Sequence, residues 1–247
     1  MESLEAELAR ARDLDVADLA DAIESIGFEC TRCGACCKAE DDDPHTATVF
    51  PDEVREIQSA DDGEYDWRDV ARPMPYGLEE KDGEAADDDE SDGDAEPANG
   101  GADGSDADGG HLTGETFEWA LQTTECGDCT FYEEAEDGTG ACSVHDDRPL
   151  ICATYPFSVA LAGTSQPMGE AVDEAGMVRA HECEGLGRDI SRTDAEELAA
   201  TLKERAVREL EEAIDVRDAY APVDAEDRVV VHDSEGAKSI DGAPIEE

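Results

Sequence analysis

Apolar residues recur at helical spacing near the start of the chain: Leu4, Leu8, Leu19, Ile23 and Ile26. Steps of three and four residues place side chains on one helical face, so residues 3–26 are expected to form one or two amphipathic helices. Gly27 stands where a helix C-cap favours glycine. Thr46 to Phe50 alternate like a short strand, and Pro51-Asp52-Glu53-Val54 opens another helix with proline in its first turn. Thr116 to Leu121 read as a strand, and Met177-Val178-Arg179-Ala180 as one that pairs with Tyr155 to Ala160. Thr193 and Glu196 have capping-box spacing. Leu198, Leu202, Leu210 and Ile214 then mark a long helix to about residue 218. Val229-Val230-Val231 and Ile240 suggest a closing hairpin turned at Glu235-Gly236.

One stretch breaks the pattern. Residues 79–110 are filled with Asp, Glu, Gly, Ala and Ser and carry neither apolar periodicity nor an aromatic ring. Such a segment buries too little apolar surface to offset its ordering entropy and is expected to be a disordered acidic insertion. Residues 1–78 and 111–190 then form one domain, and 191–247 a helix-and-hairpin extension. The expected class is α+β: a small irregular cysteine-rich metal-binding domain with flanking helices and short strands.

Charge changes the picture next. The chain has 247 residues, 68 acidic against 18 basic, for a formal net charge of -50 and a sequence pI of about 4.1. The acidic excess pervades the chain instead of forming one block, as in adaptation to a high-salt cytoplasm where screening removes most self-repulsion. No basic stripe offsets a phosphate backbone, which argues against a nucleic-acid partner. No apolar run approaches the roughly 18 residues of a membrane span. Met1-Glu2-Ser3-Leu4-Glu5 lacks the basic and apolar regions of a signal peptide, so a cytoplasmic protein is expected.

In a reducing compartment the nine cysteines read as ligands or redox groups rather than disulfides. Four of them occupy eight residues, Cys30, Cys33, Cys36 and Cys37, spaced C-x-x-C-x-x-C-C. Thiolate is a soft ligand, and a two-residue gap lets a tight turn aim two sulfurs at one metal. Gly34 supplies permissive backbone for such a turn. The adjacent side chains of Cys36 and Cys37 diverge, so one of them binds a second metal, bridges two, or stays free. The remaining five are Cys126, Cys129, Cys142, Cys152 and Cys183. Two sets of four would satisfy two tetrahedral zinc ions or two Fe–S clusters with one thiol left over. Cys126 and Cys129 alone resemble a thioredoxin-like dithiol, but the βαβ context for that is missing.

Together these residues resemble a known family. Cys30 to Cys37, Cys129-Thr130-Phe131-Tyr132, Cys142 to Cys152 with Arg148-Pro149 between them, and Tyr155-Pro156-Phe157 are similar to the CxxCxxCC cysteine-cluster family. That is the YkgJ-like, zinc- or iron-chelating domain family, and the chain looks like a haloarchaeal-type member. The resemblance covers about residues 24–190 apart from the acidic insertion. It implies metal ligation by Cys30, Cys33, Cys36, Cys37, Cys129, Cys142, Cys152 and Cys183, with an Fe–S cluster or zinc as cofactor. Cys126 falls outside the pattern. His145 replaces the aromatic residue usual in the family, so a packing or surface role is expected there in preference to ligation, and the same holds for His181.

Arg148 is placed to donate charge-assisted hydrogen bonds to sulfur or to lock a nearby carboxylate. Tyr155 and Phe157 are expected to pack around the sulfurs, with Pro156 fixing the turn between them, and a cis bond would suit it. Three functions follow. One is a metal-cluster protein with a redox or metal-handling role, such as the Fe–S oxidoreductases among the family's labels. Another is an enzyme resembling the family's lysine N-methylase, acting on protein lysines. The third is a structural zinc module that presents a surface to a protein partner, whose identity the residues leave open. No Gly-rich nucleotide loop and no C-x-x-x-C-x-x-C triad is present, so the methylase ranks below the metal-cluster protein.

The charge makes a direct prediction. The Debye length grows from about 3 Å at 1 M salt to about 30 Å at 0.01 M, so in dilute buffer repulsion reaches across the whole domain. Dialysis from molar salt into dilute buffer should unfold the protein or strip its metal, followed by circular dichroism and elemental analysis. Secondary structure and metal both retained in dilute buffer would refute adaptation to high salt.

Overall fold

The computed structural model describes residues 3–39, 44–60, 64–81, 111–161, 171–174 and 176–245. The N-terminal apolar pattern resolves into two helices, α1 (Leu4–Asp13) and α2 (Val16–Ile26). They part at Asp15, which leaves helical geometry and accepts the Ala17 N–H at 2.8 Å, an N-cap. Gly27 ends α2 at φ 77°, its N–H bonding the Ile23 carbonyl at 2.8 Å, as its position in the sequence predicts. There follow β1 (Thr48–Val49), α3 (Pro51–Ala60), α4 (Trp67–Val70), β2 (Ala71–Pro73) and β3 (Leu78–Lys81). Next come β4 (His111–Thr116), β5 (Trp119–Leu121), β6 (Tyr132–Glu134), β7 (Gly140–Cys142) and α5 (Leu150–Thr154). The chain closes with β8 (Phe157–Val159), β9 (Ala171–Asp173), β10 (Val178–His181), α6 (Arg192–Ala219), β11 (Val229–Asp233) and β12 (Gly236–Lys238).

The fold is α+β, with its strands in small separate sheets of order β1-β5-β2, β8-β10-β9, β12-β11-β4-β3 and β6-β7. The pairings are antiparallel except for β11, which runs parallel to β4. The predicted pairing after Tyr155 is present as β8 against β10, with Val178 opposite Val159. The single strand expected over 116–121 is in fact two. Phe117 and Glu118 break it, and β4 and β5 join different sheets. Strand β3 carries the chain three residues into the expected insertion, with Lys81 in register with His111. The rest of that segment, 82–110, lies outside the described residues. Helix α6 begins two residues earlier than the Thr193 capping box predicts. Ser191 is the N-cap, its Oγ accepting the Asp194 N–H at 3.1 Å.

Two apolar cores result. The first joins Leu8, Leu19 and Ile23 of α1 and α2 to Phe157 and Val178 of the β8-β10 sheet and to α6. Helix α6 presents Ala195, Ala199, Leu202, Ala206 and Leu210 on one buried face, and the three alanines let its neighbours approach closely. Residues 191–247, expected as an extension, thus supply a main wall of this core and a strand beside β4. The second core gathers Val49, Val54, Ile57, Val70, Trp119, Leu121, Phe131 and Val144 around buried Cys129, with Cys37, Cys142 and Cys152 packed against it.

A buried arginine ties α6 to the short helix that carries Cys152. Arg205 is fully buried. Its Nε donates to Glu209 at 2.7 Å, and its Nη1 to Thr154 Oγ1 at 3.0 Å and the Phe157 carbonyl at 3.3 Å. Removing one member of a buried, hydrogen-bonded ion pair costs about 3 kcal/mol. Arg205→Ala should therefore lower the denaturant midpoint strongly with an unchanged slope. Arg12→Ala, which breaks an exposed pair with Glu211, should barely move it. Equal shifts would show that the buried network is not a main support.

Candidate metal centre

Beyond α2 the chain is clamped to the segment after β10. Phe28 bridges to Leu186, and the Glu29 N–H donates to the Gly185 carbonyl at 3.0 Å, which brings Cys30 beside the loop of Cys183. A Cβ on Gly185 would stand 2.4 Å from the Glu29 carbonyl oxygen, so the close approach requires glycine. Arg32 (φ 58°) and Gly34 (φ 76°) then turn left-handed, folding the C-x-x-C-x-x-C-C segment back into a 3₁₀ turn over Ala35–Cys37. A Cβ on Gly34 would lie 2.2 Å from the Tyr132 hydroxyl oxygen.

Backbone bonds fasten this loop to the chain beyond residue 126. Cys129 N–H donates to the Cys37 carbonyl at 2.8 Å, and Gly140 N–H to the Arg32 carbonyl at 2.7 Å. Asp128 accepts the Ala39 N–H at 2.8 Å. His45, nearly buried, sets Nε2 3.1 Å from the Cys36 carbonyl. Cys142 ends β7, and Cys152 rides on α5, whose Leu150 N–H is accepted by Glu53 at 2.8 Å. Tyr155 donates its hydroxyl to the Glu182 carbonyl, next to Cys183, and the Tyr155–Pro156 bond is cis.

The thiols fall into two overlapping neighbourhoods. Burial pushes the Cys152 thiol far above its ordinary value, and the nearby Cys129, Cys36 and Cys142 push it further. Burial also raises Cys129, to about 11, with Cys142 and Cys36 adding to it. Cys183 is raised by burial and then by Cys33, Cys36 and Cys30. Cys36 is raised chiefly by its contact with Cys37, at 3.8 Å between sulfurs, and then by burial, although part of its surface remains exposed. By packing, Cys37, Cys142 and Cys152 gather with Cys129 at the second core, Cys30 is tied beside the Cys183 loop, and Cys36 lies 3.8 Å from Cys37. Each group combines cysteines from before and after the acidic segment. Cys126 is exposed, bonds to Thr124 Oγ1 at 3.0 Å, and is not among the leading neighbours of any of these thiols.

Opposing forces favour the thiolate form. The Gly185 N–H donates to Cys183 Sγ at 3.4 Å, and the nearby backbone N–H groups of Phe131 and Val144 lower Cys129 and Cys142. The positive charge of Arg148 lowers Cys142 and Cys36. Its Nη1 lies 3.2 Å from His145 Nε2, an imidazole where the sequence suggests a sulfur or a carboxylate. As they stand, no three or more His, Cys, Asp or Glu side chains among the described residues are closed tightly enough to hold a metal ion. The backbone ties bring segments that carry the thiols side by side. Soft donors, sulfur-directed N–H groups and a nearby guanidinium suit a zinc or iron thiolate centre.

His145 takes a surface position and His181 a packed one, while the aromatic residues depart from what the sequence suggests. His145 is exposed and its ring is engaged by Arg148 and Asp146, at the edge of the thiol group. His181 is buried in the β8-β10 pairing, Nε2 2.8 Å from Ser158 Oγ. Phe157 does not shield the sulfurs; its ring stacks edge-on with Phe28 in the first core, and Phe131 and Val144 flank Cys129 instead. Glu53 and His45 escape sequence reasoning. Glu53 occupies the first turn of a helix, a position that favours a carboxylate, but nothing in the sequence joins it to α5. His45 follows an acidic run without any motif.

A family model described as "Putative zinc- or iron-chelating domain" matches residues 29–184. No curated protein and no solved structure matches the chain.

Two glycines test the loop geometry. Gly138 is left-handed with open space around it, so Gly138→Ala carries only the backbone cost of roughly 1–2 kcal/mol. Gly34→Ala adds the collision with Tyr132. It should melt at a clearly lower temperature and retain less metal than Gly138→Ala. Equal melting and metal content would mean that the loop and Tyr132 yield freely.

Proposed function

Because the chain belongs to the CxxCxxCC family of zinc- or iron-chelating domains, we propose that its eight family-pattern thiols form one continuous two-metal centre with Cys36 as the shared ligand. What supports this reading is that backbone bonds tie the loop of Cys30 to Cys37 both to the Cys129–Cys142 segment and to the Cys183 loop, with the Cys36 and Cys37 sulfurs 3.8 Å apart. The Cys36 and Cys37 sulfurs lie 3.8 Å apart, so a bridging Cys36 keeps Cys37 beside the metal pair. Cys129, Cys142 and Cys152 complete one tetrahedral set with Cys36, and Cys30, Cys33 and Cys183 the other.

Such a centre supplies structural cross-linking if it holds zinc, or one-electron chemistry if it holds an Fe–S cluster. The chain's own residues do the rest. The Phe131, Val144 and Gly185 N–H groups orient sulfur lone pairs, Arg148 offsets the excess negative charge, and Val144 and Phe131 keep water from Cys129. Metal handling or electron transfer in a salt-rich cytoplasm is the reading these features support. No feature of the described residues favours the methyl-transfer alternative over it.

Cysteine variants of anaerobically purified protein decide the matter. Elemental analysis with the visible spectrum should show about two metal equivalents, zinc without colour or iron with sulfide and visible absorption. Cys152→Ser and Cys183→Ser should each weaken a different half, Cys36→Ser should disrupt both, and Cys126→Ser should leave the content intact. If Cys36→Ser loses no more metal than Cys183→Ser, the shared-ligand arrangement is wrong. Zinc and iron both at trace level in the parent protein would overturn metal binding itself.

A further inference from the structure

A second concavity lies apart from the cysteines. It has a volume of about 430 Å³ and is lined by residues of β1, β4 and β5, the Met74–Tyr76 turn and the C-terminal half of α6. That size falls within the range of small-molecule sites, roughly 300–1,000 Å³. Its walls are unusual for this chain, which has only five Phe, two Trp and five Tyr. Phe50, Tyr76, Phe117 and Trp119 all line it. Tyr76 is 65% and Phe117 47% exposed, and Tyr220, 42% exposed, extends the rim through its ring contact with Phe117 at 5.8 Å. Exposed rings gathered on one groove are better explained by an occupant than by packing.

Carboxylates set the sign of that occupant. Asp233 is already engaged by the Trp119 indole N–H at 2.9 Å and by Lys238 at 2.9 Å, and Glu209 by Arg205. Glu118 and Glu212 line the same groove and form no ion pair among the described residues, and Glu212 accepts the Ser234 N–H at 3.0 Å. Burial raises both carboxyls, with Glu209 adding to the effect on Glu118 and Asp233 to that on Glu212. Uncompensated negative charge beside aromatic faces attracts a cation that sheds water readily. An inorganic ion gains little from rings, whereas a substituted ammonium gains from both its charge and its methyl groups.

We infer that this groove is a binding site for a small organic cation of the substituted-ammonium class, held between Phe117, Tyr76 and Trp119 with Glu118 and Glu212 as its counter-charges. The site contains no cysteine and stands or falls independently of the metal centre.

The test uses the full chain in constant molar NaCl, with tetramethylammonium as probe and tert-butanol as its uncharged analogue, read by saturation-transfer NMR. Tetramethylammonium should bind saturably, and tert-butanol at the same concentration should not. Glu118→Gln and Tyr76→Ala change side chains at the open side of the groove and leave the Phe117–His232 stack in place. Each should weaken binding about tenfold, or about 1.4 kcal/mol, with melting and metal content unchanged. Three results would overturn the inference: equal binding of tert-butanol, which means a plain apolar groove; equal displacement by KCl, which means general counter-ion attraction; or no saturable signal.

Discussion

The arrangement depends on a small number of backbone hydrogen bonds between segments far apart in sequence. Cys37 to Cys129, Arg32 to Gly140 and Glu29 to Gly185 are the ties that make neighbours of thiols from either side of the acidic segment. Backbone bonds are indifferent to side-chain ionisation, which matters where eight thiols repel one another once deprotonated. Burial and mutual repulsion resist thiolate formation, while sulfur-directed N–H groups and Arg148 favour it. A metal ion tips that balance, because it neutralises the charge that the fold alone only partly offsets.

The scaffold around the centre is built to resist the chain's own repulsion. The first core is aliphatic and alanine-rich, and its charged member Arg205 is neutralised in place. The second core includes Cys129, with Cys37, Cys142 and Cys152 packed against it, so thiols and apolar contacts share one support. Glu53 joins the two halves of this second core by capping α3 through Phe50 and α5 through Leu150.

How much of this was legible follows from how local each signal is. The helices α1, α2, α3 and α6 announce themselves by periodicity and caps, and the β8-β10 pairing by two apolar runs. The thiol spacing and its family pattern point to metal, and the family match over residues 29–184 agrees. Non-local features were hidden. The break at Phe117-Glu118 arises because β4 and β5 serve different sheets, and a buried run cannot reveal that by alternation. The start of α6 was misplaced because Ser191 and Thr193 both offer a hydroxyl, and only the backbone decides between them. The place of α6 within the first core, the burial of Arg205 and the approach of His45 to Cys36 all depend on tertiary packing that no short window contains.

The register of β3 against β4 has a further consequence. Lys81 and His111 face each other across adjacent strands, so the chain leaves and re-enters the sheet at one point. A segment joined there closes over one strand spacing whatever its length, and each doubling of that length costs only about 0.6 kcal/mol. The junction behaves as a port. Lineages could lengthen, shorten or recompose what hangs from it without moving a single thiol, and an engineer could attach a reporter at the same place.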